Sequence, residues 1–264
     1  IAADASIRGI WCVPRFSNPS GIVYSEATVN RIAKLANIAG ENFRVFWDNA
    51  YAVHSIDENA AALSSISAAA KAAGTEDSIY QFGSTSKITF AGAGVAFVAM
   101  SAANRKAFTK AMGIFTIGPD KVNQLRHVRF LKDLDRINAL MKKHAALLKP
   151  RFDIVLDSLA RELQDSTQES SSNAGEYGEW TAPEGGYFIS FDSQPGLAKT
   201  IVGMASELGV KLTPAGATFP YGNDPKDQNI RIAPSVPSLD EISKAMEVFV
   251  CCVKLATVRQ KLTS

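Results

Sequence analysis

Short apolar strands alternate with helical stretches over residues 1–118, and this pattern constrains the fold more than any other feature of the sequence. The clearest strand-like runs lie at 10–13, 43–47 and 79–82. A strand–helix–strand alternation of this kind is typical of an α/β protein with a mostly parallel sheet. Because ligands of such sheets collect at the carboxyl ends of the strands, the polar residues that follow each strand are the first candidates for a functional site.

The pattern changes beyond this region. Apolar residues at helical spacing over 134–164 predict a long helix, which Pro150 either bends or divides into two. Shorter runs nearer the carboxyl terminus predict an α+β region that includes a strand at 210–213. In the first part of the chain, an Ala-rich stretch at 59–73 predicts a helix that ends at Gly74.

A lysine follows the third strand, in the run Ser84, Thr85, Ser86 and Lys87, and a Gly-rich stretch at 91–94 comes next. A lysine at the carboxyl end of a buried strand, flanked by hydroxyls, is what a Schiff base with an aldehyde cofactor requires, provided that the amine is desolvated. Taken alone, such a motif is more often a solvated lysine at the start of a loop.

Three further polar motifs accompany strands: Asn18 before Pro19, Asp48 with Tyr51 three residues later, and Arg231 between two isoleucines. An arginine within an apolar strand is expensive to bury unless it meets an anion, which favours a carboxylate site. The other residues also have structural interpretations, as a turn residue, a turn cap and a packed aromatic. Because parallel strands end at one edge, we expect the first two motifs and the lysine to meet in one cleft.

These four motifs, in this order and spacing, resemble those of the pyridoxal-phosphate aminotransferases of fold type I, class I. The fuller strings at 47–54 and 86–95 are similar to a narrower branch, the bacterial aspartate aminotransferases related to the MocR-type aminotransferase domain. The resemblance runs over the whole chain. Four separate motifs in order make it specific for the family and less specific for the substrate.

The resemblance implies an α/β fold: the mostly parallel sheet of the PLP-transferase large domain, incomplete here, plus a smaller α+β carboxyl-terminal domain. We predict a partial large PLP-binding domain over 1–132, an interdomain helix over 133–168 and the small domain over 169–264. In the family, the first strand seen here lies well inside the large domain. An amino-terminal portion is therefore expected to be missing, together with the phosphate loop and the aromatic that stacks on the cofactor ring.

The resemblance also implies roles in binding pyridoxal 5'-phosphate. Lys87 would form the Schiff base and later act as the general acid and base of the proton shift. Asp48 would pair with the pyridine nitrogen, which keeps that nitrogen protonated. Tyr51 and Asn18 would donate hydrogen bonds to the ring oxygen, and we expect the peptide bond between Asn18 and Pro19 to be cis.

The remaining candidates concern the phosphate and the substrate. Ser84 and Ser86 would donate hydrogen bonds to the phosphate, unless they cap the next helix. Many relatives place a phosphate-binding arginine eight residues after the lysine, where this chain has Val95. Arg231 would bind the substrate α-carboxylate in a bidentate fork, with Asn18 beside it.

The implied activity is transamination by a ping-pong route, with aspartate as the amino donor and 2-oxoglutarate as the 2-oxo acid, in a homodimer. Three alternatives stay open: another carbanion reaction such as β-elimination, a PLP-sensing domain of a MocR-type regulator, and a truncated copy without activity. Arg126 and Arg129 are candidates for binding the substrate side-chain carboxylate. His54, His127 and His144 lack a competing motif and are expected to pack or to face solvent.

Composition excludes several other functions. The 28 basic and 26 acidic residues give no electrostatic case for nucleic acid or a membrane surface as partners. Cys12, Cys251 and Cys252 lack disulfide or metal spacing, so we expect no metal site and three buried thiols in a reducing, cytoplasmic compartment. No apolar run reaches the length of a membrane span.

Overall fold

The computed structural model describes residues 1–164 and 175–263, and the chain divides into two compact units. The first unit consists of Ile1–Arg15, Val23–His54 and Ala61–Lys142. The second consists of Phe16–Ile22, Ser55–Ala60 and the described part of Lys143–Ser264. The predicted domain boundaries at 132/133 and 168/169 remain predictions, and the second of them falls outside the described residues.

A four-stranded sheet in the order β1-β2-β3-β4 forms the centre of the first unit. Its strands are β1 (Gly9–Cys12), β2 (Arg44–Asp48), β3 (Ile79–Ser84) and β4 (Ala96–Met100). The first three strands are parallel, and β4 pairs antiparallel with β3 at one edge. In this register Asp48 lies opposite Phe82, so β2 and β3 end at the same edge of the sheet. The predicted mostly parallel sheet is confirmed.

One face of this sheet packs on two helices. The α-helices that lie wholly within the unit are α1 (Glu26–Ala33), α2 (Ile66–Ala73), α3 (Ala102–Phe115) and α4 (Lys121–Leu131). Val45 and Trp47 of β2 share a buried core with Val29 of α1 and with Ile66 and Ala70 of α2. The alternation of side chains along β2 therefore points Val45 and Trp47 towards the helices.

The opposite face of the sheet carries a row of aromatic side chains. The Trp11 ring stacks on Phe46 with centroids 5.5 Å apart and on Phe82 at 5.9 Å. Phe46 in turn stacks on Tyr80 at 5.9 Å. Such parallel-displaced contacts between neighbouring strands add to the stability of the sheet.

The second unit is built on a three-stranded antiparallel sheet, β5-β6-β7. Its elements are β5 (Gly178–Trp180), β6 (Ile189–Ser193), β7 (Asn229–Ile232), α6 (Ala198–Glu207), α7 (Leu239–Thr263) and most of α5 (Leu134–Leu163). Its core joins Phe152 and Leu159 of α5, Phe191 of β6, Ile201 of α6 and Phe249 of α7. This α+β arrangement confirms the predicted fold class.

Local predictions have mixed outcomes. The long helix is confirmed as one continuous element that contains Pro150, so the division into two helices is wrong. The predicted helix at 59–73 begins only at Ile66, because the Ser65 hydroxyl accepts a hydrogen bond from the Ala68 amide and caps it there. It ends at Gly74, as predicted.

Two further predictions are wrong. The segment 210–213 is not a strand, because the Val210 amide donates to the Ala205 carbonyl at the end of α6 (2.8 Å) and continues its carboxyl-terminal turn. Cys12 and Cys252 are buried, but Cys251 is exposed. Neighbouring residues of a helix point about 100° apart, so these adjacent cysteines of α7 do not both face the core.

The described part of the chain contains neither a membrane-spanning helix nor a cluster of metal-ligating side chains. No helix there is sufficiently long and apolar to cross a membrane. In residues 1–164 and 175–263, no three His, Cys, Asp or Glu side chains are grouped so as to hold a metal ion.

Replacing two glycines of the first unit by alanine, one after a helix and one within a helix, should have opposite effects on the free energy of unfolding. Gly74 caps α2 with φ 68°, whereas Gly113 lies inside α3, and neither has an atom within 4 Å of an added Cβ. Gly74→Ala should lower the free energy of unfolding by about 1 kcal/mol, because alanine is disfavoured in the left-handed region. Gly113→Ala should raise it by roughly 0.5–1 kcal/mol through better helix propensity.

The shifts of the urea unfolding midpoints measure both effects, and each variant serves as the control for the other. Equal shifts of one sign would contradict the assigned backbone conformations.

Candidate active site

Asp48 is the last residue of β2, and its carboxylate stands at the edge where the parallel strands end. The chain stays attached to the neighbouring strand beyond this point, because the Asn49 amide donates to the Phe82 carbonyl (2.9 Å). Asp48 is half-buried. Within residues 1–164 and 175–263 its carboxylate has neither a hydrogen bond nor an ion pair. A half-buried carboxylate of this kind is suited to a cationic partner.

Lys87 lies in a turn directly after β3, and Thr85 organises that turn. The Thr85 carbonyl accepts from the amides of Ile88 (2.9 Å) and Thr89 (2.8 Å). The Thr85 amide donates to the Val95 carbonyl (2.9 Å), and the Val95 amide donates back to the Thr85 hydroxyl (2.8 Å). The beginning of the turn is thus tied to the beginning of β4, which fixes where Lys87 leaves the sheet.

The Lys87 ammonium lies 4.9 Å from the centroid of the Tyr51 ring, within the range of a cation–π contact. The Tyr51 side chain is buried and meets the His54 ring edge-on at 5.8 Å. His54 Nε2 is 3.2 Å from the Lys87 carbonyl oxygen. Lys87 itself is exposed, whereas the sequence analysis required a desolvated amine. The reason is its position in a turn beyond the strand rather than within it.

The two serines beside the lysine differ in their contacts. The Ser84 hydroxyl accepts from the Ser86 amide (2.9 Å). The Ser86 hydroxyl has no hydrogen-bond partner in the described part of the chain. Gly94 packs directly on it, since a Cβ at this position would lie 2.5 Å from Ser86 Oγ. Only glycine allows this close approach, which leaves the Ser86 hydroxyl available to an external acceptor.

Arg231 and Asn18 belong to the second unit and contact each other. Arg231 Nη1 donates to Asn18 Oδ1 (3.0 Å), and Arg231 Nη2 donates to Thr213 Oγ1 (3.1 Å). The guanidinium lies over the Phe188 ring at 4.6 Å. The peptide bond between Asn18 and Pro19 is cis, as predicted. Three side chains of the unit therefore orient the Arg231 guanidinium.

The Arg231 guanidinium has no acidic partner among the described residues, and its buried Nε has no hydrogen-bond partner there. It borders a mainly apolar cavity of about 160 Å³, whose walls include Val155, Leu212, Thr213, Met246 and Phe249. Neutral acceptors satisfy two of its nitrogens without cancelling its charge. A carboxylate is the ligand that a guanidinium in this setting binds best.

The turn before β7 fixes the position of the arginine strand. The Asp224 carboxylate accepts from the amides of Lys226 (3.0 Å), Gln228 (2.8 Å) and Asn229 (2.8 Å). Burial acts to raise the pKa of Asp224, but hydrogen bonds from these amides and that of Asp227 outweigh it, and the pKa is lowered. The ionised carboxylate therefore stabilises the folded turn.

The predicted site residues are thus divided between the two units. The structure brings Tyr51 to Lys87 in the first unit and Asn18 to Arg231 in the second. Their meeting in one cleft remains a prediction. The first unit carries the kinds of groups that pyridoxal phosphate requires. These are the Lys87 amine and, without partners among the described residues, the Asp48 carboxylate and the Ser86 hydroxyl. Sequence reasoning missed Thr213, because no local pattern marks a contact between residues 18 positions apart.

The candidates for a substrate side-chain carboxylate receive no support from the structure. Arg126 Nη2 donates to the Asn123 side-chain oxygen (2.6 Å) on the same helix, and Arg129 is exposed on α4. Both assignments remain predictions.

Comparison with known proteins gives consistent relationships. A family model described as "Aspartate amino-transferase" matches residues 1–264. An aspartate aminotransferase from Corynebacterium glutamicum is 43% identical over 258 residues, which cover 97% of this chain and 57% of the relative. The crystal structure of an aspartate transaminase from that species matches with a TM-score of 0.89 and 42% identity, over 97% of this chain and 58% of that one.

A more distant neighbour shows likeness of fold alone. An α-aminoadipate aminotransferase from Thermus thermophilus, in complex with N-(5'-phosphopyridoxyl)-L-leucine, matches with a TM-score of 0.71 and 21% identity. The match covers 93% of this chain and 58% of that one. The chain therefore spans less than two thirds of the length of these relatives.

The Asp224 turn generates a prediction with a defined pH dependence. Asp224→Asn should lower the free energy of unfolding at pH 7 by about 1–3 kcal/mol, because hydrogen bonds to a charged acceptor are weakened. The folded-state pKa lies below the ordinary value of 3.8. The stabilisation is therefore complete above pH 3.8 and is lost as the pH falls through the folded-state pKa.

Urea unfolding from pH 7 to pH 3 measures this effect, with Glu247→Gln on the exposed side of α7 as the control. A difference between wild type and Asp224→Asn that does not narrow at the acid end would contradict the assigned role of the carboxylate.

Proposed function

Because the chain belongs to the aspartate amino-transferase family, we propose that it serves in pyridoxal-phosphate-dependent transamination between aspartate and 2-oxoglutarate. The observation that carries the proposal is the edge of the parallel sheet at which both Asp48 and the Lys87 turn stand. This edge is where α/β sheets bind ligands. The name of the Corynebacterium glutamicum relative, an aspartate aminotransferase, supports aspartate as the amino donor.

Each polar side chain of the first unit has a proposed task. Bound pyridoxal phosphate supplies an aldehyde that takes up the amino group and a ring that withdraws electrons from the substrate α-carbon. Lys87 would hold the aldehyde through its amine and, once displaced, carry the proton at the substrate α-carbon. Asp48 would keep a proton on the pyridine nitrogen, and the Tyr51 hydroxyl would donate to the ring oxygen. Ser84 and Ser86 would donate to the phosphate.

The second unit would hold the substrate. Arg231 is already oriented by Asn18 and Thr213, so little side-chain entropy would be lost when it binds an α-carboxylate. Its charge is not balanced by an acidic side chain in the described residues, which favours an anion as ligand. Asn18 would contribute a second polar contact to the cofactor ring oxygen and the substrate.

A homodimer and a cytoplasmic location complete the proposal. Several large apolar side chains of the first unit are more than three-quarters exposed, which favours a partner subunit: Ile114, Phe115, Ile117 and Val122. The three cysteines are free thiols, as is usual in a reducing compartment.

The proposal is tested by absorbance spectroscopy of the chain with added pyridoxal phosphate. We expect a visible band that shifts when aspartate is added and that is absent in Lys87→Ala. Lys110→Ala, which removes an exposed lysine of α3, should keep the band. The Corynebacterium glutamicum aspartate aminotransferase provides a positive control for both the band and its shift.

The outcomes separate transamination from elimination and from a copy without activity. When aspartate and 2-oxoglutarate are both supplied, oxaloacetate and glutamate as products support transamination, whereas release of ammonia favours elimination. A wild-type spectrum without a Lys87-dependent band contradicts the proposal for this chain and favours a copy without activity.

The role of Arg231 gives a second prediction. Arg231→Lys loses the bidentate fork and should weaken binding of an unreactive dicarboxylate by about 10- to 100-fold, the effect of one or two charge-assisted hydrogen bonds. Titration of the cofactor band with maleate measures this binding, and the band itself should persist. Arg259→Lys, on the exposed side of α7, is the matched control. Unchanged maleate affinity in Arg231→Lys would exclude Arg231 as the carboxylate site.

A further inference from the structure

The Lys87 turn is connected to helix α4 by a buried histidine. His127 is 7% exposed. Its Nδ1 lies 2.8 Å from the carbonyl oxygen of Asn123, one helical turn earlier. Its Nε2 lies 2.9 Å from the hydroxyl oxygen of Thr89. Both ring nitrogens are thus engaged, one by the helix and the other by the end of the turn that carries Lys87.

The hydrogen-bond partners of His127 determine which of its ring nitrogens carries the hydrogen. A carbonyl oxygen only accepts hydrogen bonds, so Nδ1 must carry the hydrogen. In the neutral ring Nε2 is then an acceptor, and the Thr89 hydroxyl must donate to it.

The Thr89 hydroxyl oxygen also lies 3.1 Å from the Thr85 carbonyl, but a hydroxyl has a single hydrogen to donate. That carbonyl already accepts from the amides of Ile88 and Thr89. His127 Nε2, in contrast, has no other donor in the described part of the chain. The Thr89 hydroxyl therefore donates its hydrogen bond to His127 Nε2 rather than to the Thr85 carbonyl.

Lys87 is thus flanked by two fixed points. Thr85, two residues earlier, is tied to Val95 by a reciprocal pair of hydrogen bonds. Thr89, two residues later, is tied to His127. Asn123 also donates from its side-chain amide to the Gly94 carbonyl (3.3 Å), so α4 holds both the turn and the segment that follows it.

We infer that Thr89 and His127 are positioning residues for Lys87, acting through a hydrogen bond from the Thr89 hydroxyl to Nε2 of an Nδ1-protonated imidazole. The importance of the positioning rests on the proposed function of Lys87, whereas the proton assignment stands on the contacts alone. Removal of the hydroxyl leaves a buried acceptor without a donor, which favours a rearranged turn. The backbone of Lys87 would then no longer be held in place, and its amine would be positioned less precisely.

The test uses Thr89→Val, which replaces the hydroxyl by a methyl group, and Thr89→Ser, which keeps the hydroxyl. His144→Gln is the histidine control, since the His144 ring has no hydrogen bond in the described residues. Without cofactor, ¹⁵N NMR of the three histidines at pH 8 reports the tautomer of His127. The side-chain signal of Lys87, assigned with Lys87→Ala, reports the turn.

With pyridoxal phosphate, absorbance titration gives the apparent dissociation constant. We expect the Nδ1-protonated tautomer in wild type, a displaced Lys87 signal in Thr89→Val, and cofactor binding about tenfold weaker in that variant, the effect of one unsatisfied buried acceptor. Thr89→Ser and His144→Gln should match wild type.

An Nε2-protonated His127 in wild type would overturn the inference. This measurement is made on the wild-type protein, so it does not depend on whether a variant folds. It is also overturned if Thr89→Val leaves the Lys87 signal unchanged, or if Thr89→Ser is as impaired as Thr89→Val. If the wild-type chain gives no cofactor band, the proposed function fails. The NMR measurements still decide whether Thr89 and His127 hold Lys87.

Discussion

The parallel pairing of β2 with β3 is the constraint on which the candidate site of the first unit depends. In-register pairing sets Asp48 beside Phe82, so the chain leaves both strands at one edge. Alternation along β2 places Val45 and Trp47 in the core, where apolar burial dominates the energetics. A slip of one residue would move both side chains to the opposite face and displace Asp48 from the edge. Apolar packing thus determines the position of a polar group.

Arg231 presents the opposite situation, because its position is set by polar contacts within an apolar strand. Its partners Asn18 and Thr213 are neutral, and Phe188 offers only the face of a ring. Neutral acceptors satisfy hydrogen-bond donors but leave the desolvation of the charge uncompensated. An aspartate or glutamate in place of Thr213 would compete with an incoming carboxylate for the guanidinium. The observed contacts orient the guanidinium without blocking it.

Sequence reasoning predicted the end of α2 correctly, but it missed hydrogen bonds at helix ends and contacts between distant residues. The end of α2 at Gly74 follows from backbone conformation alone, so it was predicted. Val210 carries strand-forming character, but a helix-terminal hydrogen bond to Ala205 overrides it. The contact between Thr89 and His127 spans 38 positions and has no local signature. The order of the motifs identified the candidate residues and the family. It contained no information on which other side chains hold the candidate residues in place.

Each of the two groups of candidate residues is held by contacts within its own unit. The Lys87 turn is held by Thr85, Val95, Thr89 and His127 of the first unit. Arg231 is held by side chains of the second. The hydrogen bonds that hold the turn and those that hold the arginine involve different residues. If the proposed roles hold, changes at the turn should act on cofactor binding, and changes around the arginine should act on carboxylate binding. This division of contacts fits the proposed ping-pong reaction, in which the cofactor would stay bound while successive substrates exchange.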